Sequence, residues 1–207
     1  MAGRALVLID LQNDFCPGGA LAVARGDETI EVANRVARHF DTVVATQDWH
    51  PADHGSFAAN RDDAQPYSVG ELGGLPQVMW PVHCVQGTWG AEFHEGLDQQ
   101  RVTKVFTKGT DVGIDSYSGF WDNGQRKSTG LADWLREQGI DTVYVLGLAT
   151  DYCVKATAID ACREGFATYL VEDACRAVEL KPGDGERAIE AMREAGVIVV
   201  DSGQIGT

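Results

Sequence analysis

Residues 142–164 read TVYVLGLATDYCVKATAIDACRE. The run Thr142–Gly147 is almost wholly apolar, as a strand buried on both faces requires. A glycine-bearing loop follows, then a helix-like segment, Asp151–Glu164, closed by Gly165. Strand, loop and helix in that order form half of a βαβ unit, and the alternation extends in both directions. Upstream, Ala5–Ile9 (ALVLI) is an apolar strand, and Glu28–Phe40 puts Ile30, Ala33, Val36, Ala37 and Phe40 on one helical face. Thr42–Thr46 (TVVAT) and Val102–Thr107 read as the second and third strands. Ser128–Gln138 reads as a helix that Ser128 can cap. Downstream come a strand at Ala167–Val171, a helix at Gly185–Ala195 ended by Gly196, and a strand at Val197–Val200.

Helices between apolar strands imply right-handed crossovers and a mainly parallel sheet covered on both faces. The expectation is one three-layer α/β/α domain over residues 1–207, built on six strands. Residues 47–101 stand apart as a long irregular stretch, of the kind that is usually functional or disordered. Its tryptophans and histidines favour function.

The chain carries a formal charge of −14, which disfavours nucleic acid and anionic lipid as partners. The apolar stretch at Ala5–Ile9 is too short for a signal peptide core or a membrane span. The expected location is therefore the cytoplasm. The five cysteines, at 16, 84, 153, 162 and 175, include no CxxC pair and read as reduced thiols.

Polar residues gather at the C-terminal ends of the proposed strands, the edge where ligands bind in open α/β sheets. Asp10 ends the first strand, Asp48 and His50 follow the second, Lys108 ends the third, and Cys153 follows the fourth. If the strand order is 3-2-1-4-5-6, strands one and four flank its reversal, and Asp10, Lys108 and Cys153 can meet in one crevice. A thiol in the first turn of a helix is favoured as thiolate, and an aspartate and a lysine add proton transfer and charge balance. Equally, Cys153 reads as a small buried hydrophobe, and Asp10 with Lys108 as a structural ion pair. Asp48-Trp49-His50 is a D-x-H unit whose outer members project to one side of an extended segment. With His83 and His54 it could hold zinc, iron(II) or manganese(II). Taken alone it also fits surface histidines in a polar loop. Phe15, Trp49, Trp80 and Tyr117 could wall a site for a flat aromatic ligand or anchor loops.

These residues occur in the segments Leu6–Phe15 (LVLIDLQNDF), Gln47–Ala58 (QDWHPADHGSFA), Trp80–Gly87 (WPVHCVQG), Thr107–Gly109 with Tyr117–Phe120 (TKG…YSGF) and Gly147–Val154 (GLATDYCV). Across nearly its whole length the chain resembles the nicotinamidase/pyrazinamidase branch of the isochorismatase-like hydrolases. The resemblance implies the isochorismatase-like three-layer fold with strand order 3-2-1-4-5-6, and Asp10, Lys108 and Cys153 as catalytic triad. It implies Asp48, His50 and His83 as ligands of one divalent metal ion, zinc first, with His54 in the second shell or as an extra ligand. It implies a cis peptide before Ala149, an oxyanion hole from the Ala149 and Cys153 amides, and a substrate pocket of Phe15, Trp80 and Tyr117. The implied reaction is hydrolysis of nicotinamide to nicotinate and ammonia, and of pyrazinamide likewise, through a thioester and in the service of NAD salvage. Nicotinamide is then the small-molecule partner, and a homo-oligomer is compatible with the chain. A carbamoyl or aliphatic amidase would keep the triad but generally lacks the metal set. A non-catalytic binding protein on this fold would not need the thiol or the lysine.

Overall fold

The computed structural model describes residues 3–206. The strands are β1 (Gly3–Ile9), β2 (Thr42–Asp48), β3 (Val69–Leu72), β4 (Leu75–Val78), β5 (Lys104–Lys108), β6 (Ile140–Leu148), β7 (Ala167–Arg176) and β8 (Ile198–Val200). The helices are α1 (Glu28–Ala37), α2 (Leu131–Glu137), α3 (Lys155–Arg163) and α4 (Asp184–Glu194). Six strands form one sheet in the order β5-β2-β1-β6-β7-β8, every pairing parallel. In terms of the six strands read from sequence this is the expected 3-2-1-4-5-6. The right-handed crossover rule puts α1 on one face and α2, α3 and α4 on the other. Among the described residues no helix is long and apolar enough to cross a membrane.

Burial explains the apolar runs. Ala5 to Ile9 and Leu146 to Leu148 lie in the sheet's centre and are almost entirely inaccessible. Each such leucine or isoleucine contributes about 1.5–3 kcal/mol relative to exposure. Gly147 is required where β6 runs beside β1. Its φ is +129°, and a Cβ would stand 2.2 Å from the Ile9 carbonyl oxygen.

Three local expectations are revised. The segment 128–138 begins its helix at Leu131, after Gly130 in a left-handed conformation, and the Thr129 hydroxyl accepts the Leu131 N–H at 3.2 Å. Ser128 Oγ instead accepts the Gly130 N–H at 3.0 Å. The segment after β6 enters α3 through one wide π-type turn, Thr150–Val154, so Cys153 sits in that turn and not in the α-helix. The stretch 47–101 contains an antiparallel hairpin, β3–β4, joined through Gly73-Gly74. All five cysteines are free.

Candidate active site

Strand register builds the site. Asp48 and Lys108, the last residues of β2 and β5, are direct neighbours in the sheet. Asp10 follows β1, and the π-type turn carrying Cys153 follows β6, the other neighbour of β1. The three strand ends and the turn thus point four reactive groups into one space, and all four are buried.

Lys108 Nζ stands at the centre. It lies 2.9 Å from Asp10 Oδ2, 2.6 Å from Asp48 Oδ1, 3.0 Å from the Ser116 carbonyl and 3.4 Å from Cys153 Sγ. Burial works against its charge, but Asp10 and Asp48 more than offset this and hold its pKa well above the ordinary lysine range. Asp10 Oδ1 accepts the Thr46 hydroxyl at 2.6 Å. Asp10 Oδ2 pairs with the Lys108 ammonium at 2.9 Å, and Asp10 also bonds the Cys153 thiol. Burial raises the Asp10 pKa, opposed by Lys108. Burial also drives the Cys153 thiol well above its normal range, against the pull of Lys108, with Asp10 and Asp48 raising it further. Burial therefore opposes the thiolate that the position before α3 favours.

Asp48 turns its other oxygen the opposite way. Oδ2 lies 3.4 Å from His50 Nε2 and 3.7 Å from His83 Nε2. Burial raises the Asp48 pKa, but Lys108 and His50 overcome that and bring it well below the usual carboxylate range. His50 Nδ1 donates to the Gly109 carbonyl at 2.8 Å, and His83 Nδ1 to the Pro81 carbonyl at 2.7 Å. Both rings thereby leave Nε2 facing Asp48. Gly109 adopts φ +64° and passes so close to His50 that a Cβ would stand 2.4 Å from the ring. His83 is brought in by a parallel bridge between His50 and Val85, with the His50 N–H on the Cys84 carbonyl at 3.0 Å. One carboxylate oxygen and two imidazole nitrogens within 4.8 Å of one another fit a divalent cation in both chemistry and reach. Burial lowers and Asp48 raises the His50 pKa, with a net rise. A divalent cation at Nε2 would take the place of that extra proton. A further group of this kind, Asp10, Asp48 and Cys153, already surrounds the Lys108 ammonium.

Beside these groups lies a cavity lined by Phe15, Trp80 and Tyr117 together with Ala149 and Cys153. The peptide bond before Ala149 is cis. Trp49 does not line it and packs against the core instead. Along an extended segment it points away from Asp48 and His50, by the same alternation that brings those two together. Leu21, Asp115, Tyr152 and Val178 complete the lining and were not singled out from sequence. Asp115 accepts from Gln77 Nε2 and from the Ser116 N–H, each at 2.8 Å, while Trp80 Nε1 donates to the Tyr117 hydroxyl at 3.2 Å. His54 is fully buried beside His50, their ring centroids 4.3 Å apart.

Comparison with known proteins bears on this arrangement. The isochorismatase domain family matches residues 4–204. A nicotinamidase of Escherichia coli (strain K12) is 51% identical over 200 residues, which cover 95% of this chain and 93% of the relative. A solved structure of an Acinetobacter baumanii nicotinamidase and pyrazinamidase superposes with a TM-score of 0.95 at 47% identity, covering 99% of this chain and 98% of that one. A pyrazinamidase of Pyrococcus horikoshii, solved in complex with zinc, superposes with a TM-score of 0.77 at 41% identity, covering 96% and 98%.

Proposed function

Since the chain belongs to the isochorismatase family, we propose that it is a nicotinamidase, hydrolysing nicotinamide to nicotinate and ammonia. The observation that carries this reading is the contact of one buried ammonium, Lys108, with Asp10, Asp48 and Cys153 at 2.9, 2.6 and 3.4 Å. The similarity to nicotinamidases across 95% of the chain supports the choice of substrate.

The substrate ring lies between Phe15 and Trp80, with Tyr117 beside it, and the carboxamide carbon faces Cys153. Asp10, bonded to the Cys153 thiol, takes its proton as sulfur attacks, the role of a general base. Lys108 keeps the carboxylates charge-balanced and stabilises the thiolate as it forms. The Ala149 and Cys153 amides hold the developing oxyanion. Asp10 returns the proton to the leaving nitrogen, and ammonia departs from a Cys153 thioester. Asp10 then activates the water that frees nicotinate. Asp48, His50 and His83 would hold the divalent cation, with zinc the first choice, which the zinc complex of a relative supports. When bound, the cation supplies a Lewis-acid anchor that orients the pyridine ring. Pyrazinamide offers the same ring shape and a matching nitrogen, so it is a second substrate. The proposed setting is the cytoplasm, with nicotinate passing to NAD salvage and no nucleic acid or membrane involved.

The test is ammonia release from nicotinamide by the wild-type chain and by Cys153→Ala. Wild-type turnover with a loss of at least about 10³-fold in the variant is expected, because the covalent route has no substitute nucleophile. Retained turnover in the variant would remove Cys153 from the reaction.

A further inference from the structure

The turn that carries Cys153 is tied to a distant loop by a carboxylate that the mechanism does not use. Asp151 is 3% exposed and bonds outside its own turn. Its Oδ1 accepts the Val178 N–H at 2.9 Å, and its Oδ2 accepts the Glu179 N–H at 3.0 Å, both in the loop after β7. Two consecutive main-chain amides converging on one anion make a concavity that a pair of acceptors fills. Glu179 adopts φ +57°, a conformation that a residue with a Cβ takes only where its surroundings hold it. Its own carboxylate adds to the hold, Oε2 accepting the Gly183 N–H and Oε1 the Gly185 N–H, each at 2.8 Å, around the start of α4. Two carboxylates in series thus bind residues 178–185 to the turn of the nucleophile.

This loop reaches the substrate cavity at one residue. Val178 lines the cavity with Ala149, Tyr152 and Cys153, while Asp151 does not. Residues two apart on a helical turn do not share a face, so Asp151 turns away from the cavity as Cys153 turns into it. Most of the lining is buried, and Tyr117, Tyr152 and Val178 are its half-buried members, which mark the mouth. Tyr117 and Tyr152 are wedged against Trp80, their ring centroids 6.4 and 4.8 Å from it. Val178 stands on a loop instead, and the bond that fixes its main-chain N–H is the one to Asp151. We propose that Asp151 is a positioning residue for substrate selection, holding Val178 at the mouth as a wall that confines substrates to aromatic amides whose ring carries no substituent on that side. The inference rests on the nicotinamidase reading and deepens it.

The test measures ammonia release from nicotinamide and from its 4-, 5- and 6-methyl forms, with kcat/KM taken as a ratio within each preparation. That ratio does not depend on how much of the chain is folded, so a loss of stability alone leaves it unmoved. Wild type is expected to reject at least one methyl form by about 10-fold or more, the effect of one carbon too many in an apolar pocket. Val178→Ala, which shortens the wall, should relax that rejection by at least about threefold. Asp151→Asn sets an amide NH₂ against one of the two N–H groups, and should relax it by at least about threefold as well. Asp151→Glu keeps both acceptors but displaces them by one methylene, so it should also change the ratio, and it stands in where Asp151→Asn does not fold. An unchanged ratio in the Asp151 variants, with Val178→Ala relaxed, would make Asp151 a structural clamp only and overturn the proposal. An unchanged ratio in Val178→Ala, or a wild type that accepts every methyl form as well as nicotinamide, would overturn the wall itself. A wild type that hydrolyses none of them would instead overturn the nicotinamidase reading, and the proposal with it.

Discussion

In the proposed mechanism Asp10 must be ionised to take the thiol proton, yet it sits where burial favours its neutral form. Thr46 helps to resolve this conflict. Its hydroxyl donates to Asp10 Oδ1 at 2.6 Å and accepts the Asp10 backbone N–H at 3.3 Å, and the first of these bonds lowers the Asp10 pKa. Thr46→Val removes both bonds at nearly constant volume. The Asp10 pKa should then rise, so the acid limb of kcat/KM, lost as pH falls through that pKa, should move to higher pH. At neutral pH kcat/KM should drop by about 10-fold, a part of the 10²–10⁴ that a general base supplies. An unmoved acid limb would mean that another group sets it. The sequence showed Asp10, Lys108 and Cys153 because each ends or follows an apolar strand. It hid Thr46, which looks like any β-branched strand residue, and Asp115, which lies in a loop with no periodicity.

Gln12 and Asp14 act on whole segments. The Gln12 amide pairs with the main chain of Asp48 in both directions, accepting its N–H at 2.8 Å and donating to its carbonyl at 2.8 Å. It also donates to the Ala91 carbonyl at 2.8 Å. Asp14 Oδ2 accepts the Cys84 N–H at 2.7 Å, one residue beyond His83. Two side chains from the turn after β1 thus clamp the segments that carry two of the three proposed ligands. Gln12→Ala leaves the buried N–H and carbonyl of Asp48 without this partner, at about 1–3 kcal/mol each where water cannot enter, while the Ala91 carbonyl keeps the Gln47 amide at 2.7 Å. The variant should lose at least about 2 kcal/mol of unfolding free energy in urea denaturation. A loss under about 0.5 kcal/mol would show that the clamp is dispensable. Among the elements, the central strands were legible because burial on both faces demands unbroken apolar runs. The β3–β4 hairpin was not, because Val69–Val78 is short and largely exposed. Its one local sign was Gly73-Gly74 between hydrophobic flanks, a known hairpin dipeptide. The start of α2 was misplaced because Ser128 bonds to Gly130 ahead of the helix instead of capping it.

The charge of −14 belongs to the molecule as a whole. Self-repulsion at that charge opposes the compact state, and salt screens it over about 10 Å at 0.1 M. Raising potassium chloride from about 0.01 to 0.5 M should therefore stabilise the protein by about 1 kcal/mol, or about 2–4 °C in Tm for a chain of this size. A falling Tm would mean that the exposed ion pairs, such as Arg25–Glu28 and Arg136–Glu164, outweigh the repulsion. At this scale the residues alone left the sheet order a condition, that strands one and four flank the reversal, and the family resemblance supplied it. Lys108 also governs how damage spreads through the molecule. Because one side chain grips both Asp10 and Asp48, lesions at those two positions should be strongly epistatic, the second adding little to the first. A variant that has lost the proposed cation will then resemble, in any screen for activity, one that has lost its chemistry, and only assaying the bound metal will tell the two phenotypes apart.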